Sequence, residues 1–223
     1  MSHRKPRPSR NPLTSKAFRL GLLAAGIATA AAAAPAQAAA PRSHIPRDVA
    51  VANDGAHTHA NQLHHTQVQD TLTVHQFGSM IAAGVRNQAN AISSGCSVDD
   101  HCRSIALSFQ VVTMAGTHTH LNAVNLSDAV NKHCDGCQTL AGAYQFVVST
   151  PRPFTLDSTA QRGLADVHRR LDALTRSTDS AADLQQQVDQ LAAEVKAILK
   201  TAVDGADFAP DVAVHRRFDG GWR

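Results

Sequence analysis

Cys102-Arg-Ser-Ile-Ala-Leu-Ser-Phe-Gln-Val-Val112 is echoed downstream by Cys137-Gln-Thr-Leu-Ala-Gly-Ala-Tyr-Gln-Phe-Val147. Cys, Ala, Gln and the final Val recur identically, while Ser/Thr, Ile/Leu, Ser/Ala and Phe/Tyr recur in kind. Upstream, Asn87, Ala91-Ile92 and Cys96 match Asn125, Ala129-Val130 and Cys134 at the same mutual spacing. All four cysteines of the chain occupy equivalent places in this doubled unit. Self-similarity of this kind predicts two copies of one supersecondary unit sharing a core that neither could bury alone.

The secondary structure of the unit follows from its side chains. The β-branched and aromatic run from Cys102 to Met114 predicts a strand, and Gln138 to Ser149 predicts a second. Cys102, Ile105, Ala106, Phe109 and Val112 also fit one helical stripe, but the Val-Val and Phe-Val-Val endings favour the strand. Val68, Asp70, Leu72, Val74 and Gln76 alternate as a further strand would. Ser79 to Ser94 and Asn122 to Lys132 carry helical character. The expected fold class is therefore α/β. It would hold a small, mainly parallel sheet with crossover helices, built from a duplicated helix–Cys–strand unit over residues 67–152.

The flanks read differently. Residues 1–38 show a basic stretch, an apolar Ala-rich run and the small-x-small site Ala36-Gln37-Ala38, the pattern of a secretory signal peptide. Residues 39–66 predict a His-rich flexible arm. Leu164, Val167, Leu171 and Leu174, then Leu184, Val188, Leu191, Val195 and Ile198, mark the apolar seams of two short helices. They predict a helical hairpin over 153–203, with Thr178 or Ser180 capping its second helix, and 204–223 reads as a flexible tail.

Charge excludes one class of partner. Six of the 21 Lys and Arg residues and none of the 18 acidic ones lie in the leader, so its removal takes the net charge from +3 to −3. No basic surface remains to argue for nucleic acid, and no membrane span is expected after leader removal.

The cysteines carry the main chemical signal. In an exported protein, Cys96, Cys102, Cys134 and Cys137 read as disulfides. Local pairs would lock each turn, and crossed pairs would staple neighbouring strand starts. The same four residues could instead hold one zinc, with His101 or His133 substituting. Two His-x-His pairs, His57 with His59 and His118 with His120, are candidate metal ligands; as solvated histidines they would do nothing specific. Gln110 and Gln145 read as ladder-facing polar residues. Glu194 is the only glutamate, so a His-Glu-x-x-His protease helix does not exist here. No nucleophile elbow, phosphate loop or dinucleotide fingerprint is present.

The cassette, with Asn125-Leu-Ser-Asp-Ala-Val-Asn131 between its copies, resembles a group of secreted actinobacterial proteins. Related segments accompany proteins named as peptide zinc metalloproteases. The resemblance covers about residues 85 to 150 and implies export and a shared context with peptide maturation; it transfers no catalytic residue. The expected function is a secreted, non-enzymatic module without a cofactor. It would act by binding a protein partner or by self-association through the C-terminal hairpin. The alternative is a zinc- or thiol-dependent extracellular enzyme, or an accessory of a peptide-maturation system.

Overall fold

The computed structural model describes residues 48–204 and 211–222; the leader expected over 1–38, the start of the arm and residues 205–210 lie outside the described residues. The protein is mixed α/β. Six strands come first: β1 (Val49–Asn61), β2 (Thr66–Ser79), β3 (Ala82–Ser94), β4 (Arg103–Ala115), β5 (His120–Lys132) and β6 (Gln138–Thr150). Two helices, α1 (Ser158–Arg176) and α2 (Ala181–Asp204), and a last strand, β7 (Asp211–Trp222), follow.

Successive strands alternate between two sheets. The first sheet has the order β1-β3-β5 and the second β2-β4-β6-β7. Every pairing is parallel except β6 with β7, which is antiparallel. The chain thus winds three times through both sheets, each winding lying on the one before. The echoed residues become direct neighbours: Ala106 beside Ala141, Phe109 beside Tyr144, Gln110 beside Gln145, and upstream Asn87 beside Asn125. The first winding fills a third place with other residues, setting Asp54 beside Asn87, Gln69 beside Ala106, Thr73 beside Gln110 and His75 beside Val112.

Three expectations are corrected. The helices expected over Ser79–Ser94 and Asn122–Lys132 are strands β3 and β5. In β3 the residues Ala83, Val85, Asn87, Ala89, Ala91 and Ser93 are buried at every second position, a strand period. Their small size fits the thin layer between the sheets, where Ala56, Ala89, Ala91, Ala106, Ala141 and Ala143 pack together. Alanine favours helix in isolation, and packing overrides that preference here. Secondly, much of the arm expected over 39–66 is strand β1, with Ala52, Ala56, Thr58 and Ala60 buried. Thirdly, the tail expected over 204–223 contains β7, an edge strand laid along β6.

The larger apolar core lies on the other face of the second sheet. Ile105, Leu107, Phe109, Val111, Leu140, Tyr144 and Phe146 meet Leu164, Val167, Leu171, Leu184, Val188, Leu191 and Val195 there. Both helical seams are consumed by this contact. Asp157 caps α1 by accepting from Ala160 N (2.7 Å). Ser180 caps α2, its Oγ accepting from Asp183 N (3.2 Å). Arg103, at the start of β4, donates to Ser177 O (2.5 Å) and Asp179 O (3.3 Å), pinning the turn between the helices to the sheet.

Candidate functional site

The turns from β3 to β4 and from β5 to β6 stack at one end of the two sheets, and each carries two cysteines. Cys96 and Cys102 lie at disulfide distance, as do Cys134 and Cys137, with Cα separations of 5.9 and 5.7 Å. The pairing is local, within each turn and not across windings. All four residues are buried beside Ala60, and their sulfurs lie within 4.8 Å of one another. That closeness follows from stacking two equivalent turns at the spacing of neighbouring strands. The turns need unusual backbone: Gly95 and Gly136 have φ of 71° and 74°, and His133 has φ of 48°. His101 is exposed, with Nδ1 3.2 Å from Gly136 O.

Among the described residues, this is the only group of three or more His, Cys, Asp or Glu side chains spaced to hold a metal ion. As thiolates the four would form a soft tetrahedral set suited to zinc; as disulfides they offer no ligand. The histidine pairs are not brought together. His57 and His59 lie exposed on β1, and His59 Nε2 is 2.8 Å from Ser94 Oγ. His120 opens β5 in register with Ala82, which itself pairs with Val49 at the start of β1. His57 is therefore about 26 Å further along the sheet from that row. His118 precedes β5, with Nδ1 3.1 Å from Thr117 Oγ1.

Between the sheets runs a polar network that the sequence does not announce. Gln145 Nε2 donates to Gln110 Oε1 (2.7 Å), and Gln110 Nε2 donates to Asp54 Oδ2 (2.5 Å) and Arg86 O (2.9 Å). His75 Nε2 meets the same Asp54 oxygen at 2.7 Å. A second cluster centres on Asn87. Its Nδ2 lies 3.0 Å from Ser108 O and from Asn125 Oδ1 and 3.1 Å from Tyr144 O, and its Oδ1 accepts from Ser108 Oγ (2.5 Å). These groups bond one another across windings, and Gln145 Oε1 is left without a hydrogen-bond partner. The sequence signals were Gln110 with Gln145 and Asn87 with Asn125, each pair recurring at one cassette position.

Two further ionisable clusters hold the helices. Asp70 on β2 sits under α1, 3.2 Å from His168 Nε2. Burial pushes its carboxyl above the usual range, Asp172 adds to this, and His168 and Thr175 oppose it. Asp189 on α2 accepts a two-pronged contact from Arg216 of β7 (2.6 and 2.8 Å) and the Tyr144 hydroxyl (2.7 Å). Burial would raise the Asp189 carboxyl, but the bonds from Arg216 and Tyr144 prevail and hold it low. Burial, together with the bond to Asp189, pushes the Tyr144 hydroxyl up. Glu194 is half-buried and paired with Arg170 at 2.7 Å.

The fold and site define a mixed α/β protein whose parallel strands wind through two sheets, with two buried cysteine pairs at one end. Compared with models of known families, with curated proteins and with solved structures, the chain finds no match in any of the three. No helix among the described residues is long and apolar enough to cross a membrane.

Proposed function

We propose that this is an exported, disulfide-clasped scaffold that works by binding or assembly and carries out no catalysis. The observation that carries the reading is the sealed state of the cysteines. Local pairing consumes all four sulfurs behind a buried wall, which suits a clasp on stacked turns in an oxidising compartment. Buried Asn87, Gln110 and Gln145 are engaged in holding the windings together. Among the described residues, what the molecule offers outward is strand edges and the outer face of the β1-β3-β5 sheet. The likeness to exported proteins found alongside peptide metalloproteases fits an accessory in that setting. The helical seams are buried against the second sheet, so the partner surface lies elsewhere than on the hairpin's apolar stripe.

A second reading has one observation in its favour: four sulfurs within 4.8 Å of one another can also close around a zinc ion. Native mass spectrometry of the exported chain, recovered without reductant, separates the two. The scaffold reading expects a mass four hydrogens below the reduced chain and no metal. A mass carrying all four thiol hydrogens less those displaced by one stoichiometric zinc ion would overturn it.

A further inference from the structure

Both sheets end at the first winding. β1 is outermost in the first sheet and β2 in the second. At the opposite end β7 runs antiparallel to β6 and reaches across to β5. There Asn125 Nδ2 donates to His215 O (2.8 Å) and Asp219 Oδ2 accepts from Ala129 N (3.2 Å). The β1/β2 end has no such cover among the described residues. Its one comparable contact is Gln69 Oε1, which accepts from His57 N (2.8 Å). Alternate residues of a parallel strand turn their peptide groups to opposite sides, so Val51, like His57, faces outward.

Beside the open β2 edge lies a groove of about 360 Å³, lined by Leu72 and Val74 of β2 and by Leu156, Leu164, Ala165 and His168. Val74 is 38% exposed in it. The groove is also lined by Gln76 and Gln161, so its walls are part apolar and part polar, and an unpaired edge beside it invites strand addition.

We propose that the occupant is a second copy of this chain. β1 pairs antiparallel with the partner's β1, and β2 antiparallel with the partner's β2, about one two-fold axis normal to the sheets. This inference rests on the binding or assembly reading and names its partner. Three observations support it. First, the two edges are matched in length, at 13 and 14 residues, and their midpoints, Gly55 and Leu72–Thr73, face each other. Asp54 meets His75 across the gap, and Thr58 meets Ser104, the neighbour of Gln67. One axis therefore pairs both edges along their full length, as an isologous interface requires.

Secondly, the footprint is sufficient. Strands of this length run about 43 Å, and two sheets about 10 Å apart with their side chains give roughly 800 Å² per copy, the size of a standard stable interface. Thirdly, each acid at this end has a ring nitrogen of its own chain beside it. Asp54 accepts from Gln110 Nε2 and lies 2.7 Å from His75 Nε2, and Asp70 lies 3.2 Å from His168 Nε2, so both carboxylates turn toward groups of their own chain. Pairing extends the second sheet through both copies and buries the groove between the two α1 helices.

Sedimentation equilibrium of the mature chain, with disulfides intact, tests this. The wild type is expected at the mass of two chains. Val74→Lys sets two ammonium groups near the axis, and Val51→Pro removes an outward N–H from an exposed position; each should weaken the dimer about tenfold or more. Circular dichroism and thermal unfolding of the diluted protein should stay unchanged. Amide exchange should show β1 and β2 protected in the dimer and exposed on dilution. A single-chain mass at every concentration overturns the proposal, and so does a mass that grows without limit, which means head-to-tail stacking. A dimer indifferent to both substitutions overturns it too. The native mass and metal content of the same sample, which decide the scaffold reading, are independent of these outcomes.

Discussion

Replacing Asn87 by Ala removes the centre of the polar layer between the sheets. The side chain is fully buried. Its amide can give two hydrogens to the three acceptors around it, and its carbonyl accepts one from Ser108. Three bonds at a net value of about 1 kcal/mol each set the loss near 3 kcal/mol. Ser108 keeps a second partner in Thr71 Oγ1 at 2.9 Å, which lowers the expected loss to about 2–3 kcal/mol. Asn90 on the same strand is the control: its amide has one contact, to Asp128 at 3.3 Å on the outer face, and Asn90→Ala should cost under about 0.5 kcal/mol. Urea unfolding of both variants with disulfides intact gives the comparison. For a chain of this size the Asn87→Ala loss corresponds to a melting temperature about 4–12 °C lower. If Asn87→Ala loses less than about 1 kcal/mol, or no more than Asn90→Ala, the inter-sheet network does not hold the windings together.

Replacing Cys96 and Cys102 together by Ser should cost about 2 kcal/mol from the short loop they close, read by chemical unfolding, with Cys134–Cys137 still formed. Asp70 is a pH handle. Its carboxyl is raised in the folded state, so the native protein binds the proton more tightly and stability falls as pH rises from the ordinary range near 4 to the raised value. Asp70→Asn should therefore flatten the stability curve in that window and leave the protein no less stable at neutral pH; a curve unchanged from wild type would refute this. Arg216→Ala removes the fork on Asp189. Because both groups are partly exposed, the stability cost should stay at or below about 1 kcal/mol, but hydrogen exchange along β7 should quicken ahead of that in β6.

Only some of this architecture could be read from the chain. β4 and β6 were legible because Phe109, Val111, Tyr144 and Phe146 are large and face a helix-covered core. The helices were legible for the same reason, down to the Ser180 cap. β3 and β5 were not, since β3 buries mostly small residues, Ala and Asn among them, and β5 is only half-buried at best, so neither carries much hydrophobic signal at any period. β1 was hidden further by its histidines, which lie on the exposed face. The first winding escaped notice because it holds Asp54, Gln69, Thr73 and His75 at the register positions where the later windings hold Asn, Ala, Gln and Val. Of the candidate site, the cysteine cluster was legible from spacing alone. The Asp54–Gln110–Gln145 network was not, because its members come from different windings and meet only once the sheets are stacked.

The central claim is that each copy of the cassette closes its own turn, and a non-reducing tryptic map tests it most directly. Asn87–Arg103 contains both Cys96 and Cys102, and the peptide beginning at His133 contains Cys134 and Cys137. Local clasps predict two separate peptides, each two hydrogens lighter than its reduced form. A single cross-linked species joining the two peptides, or either peptide with free thiols, would contradict it.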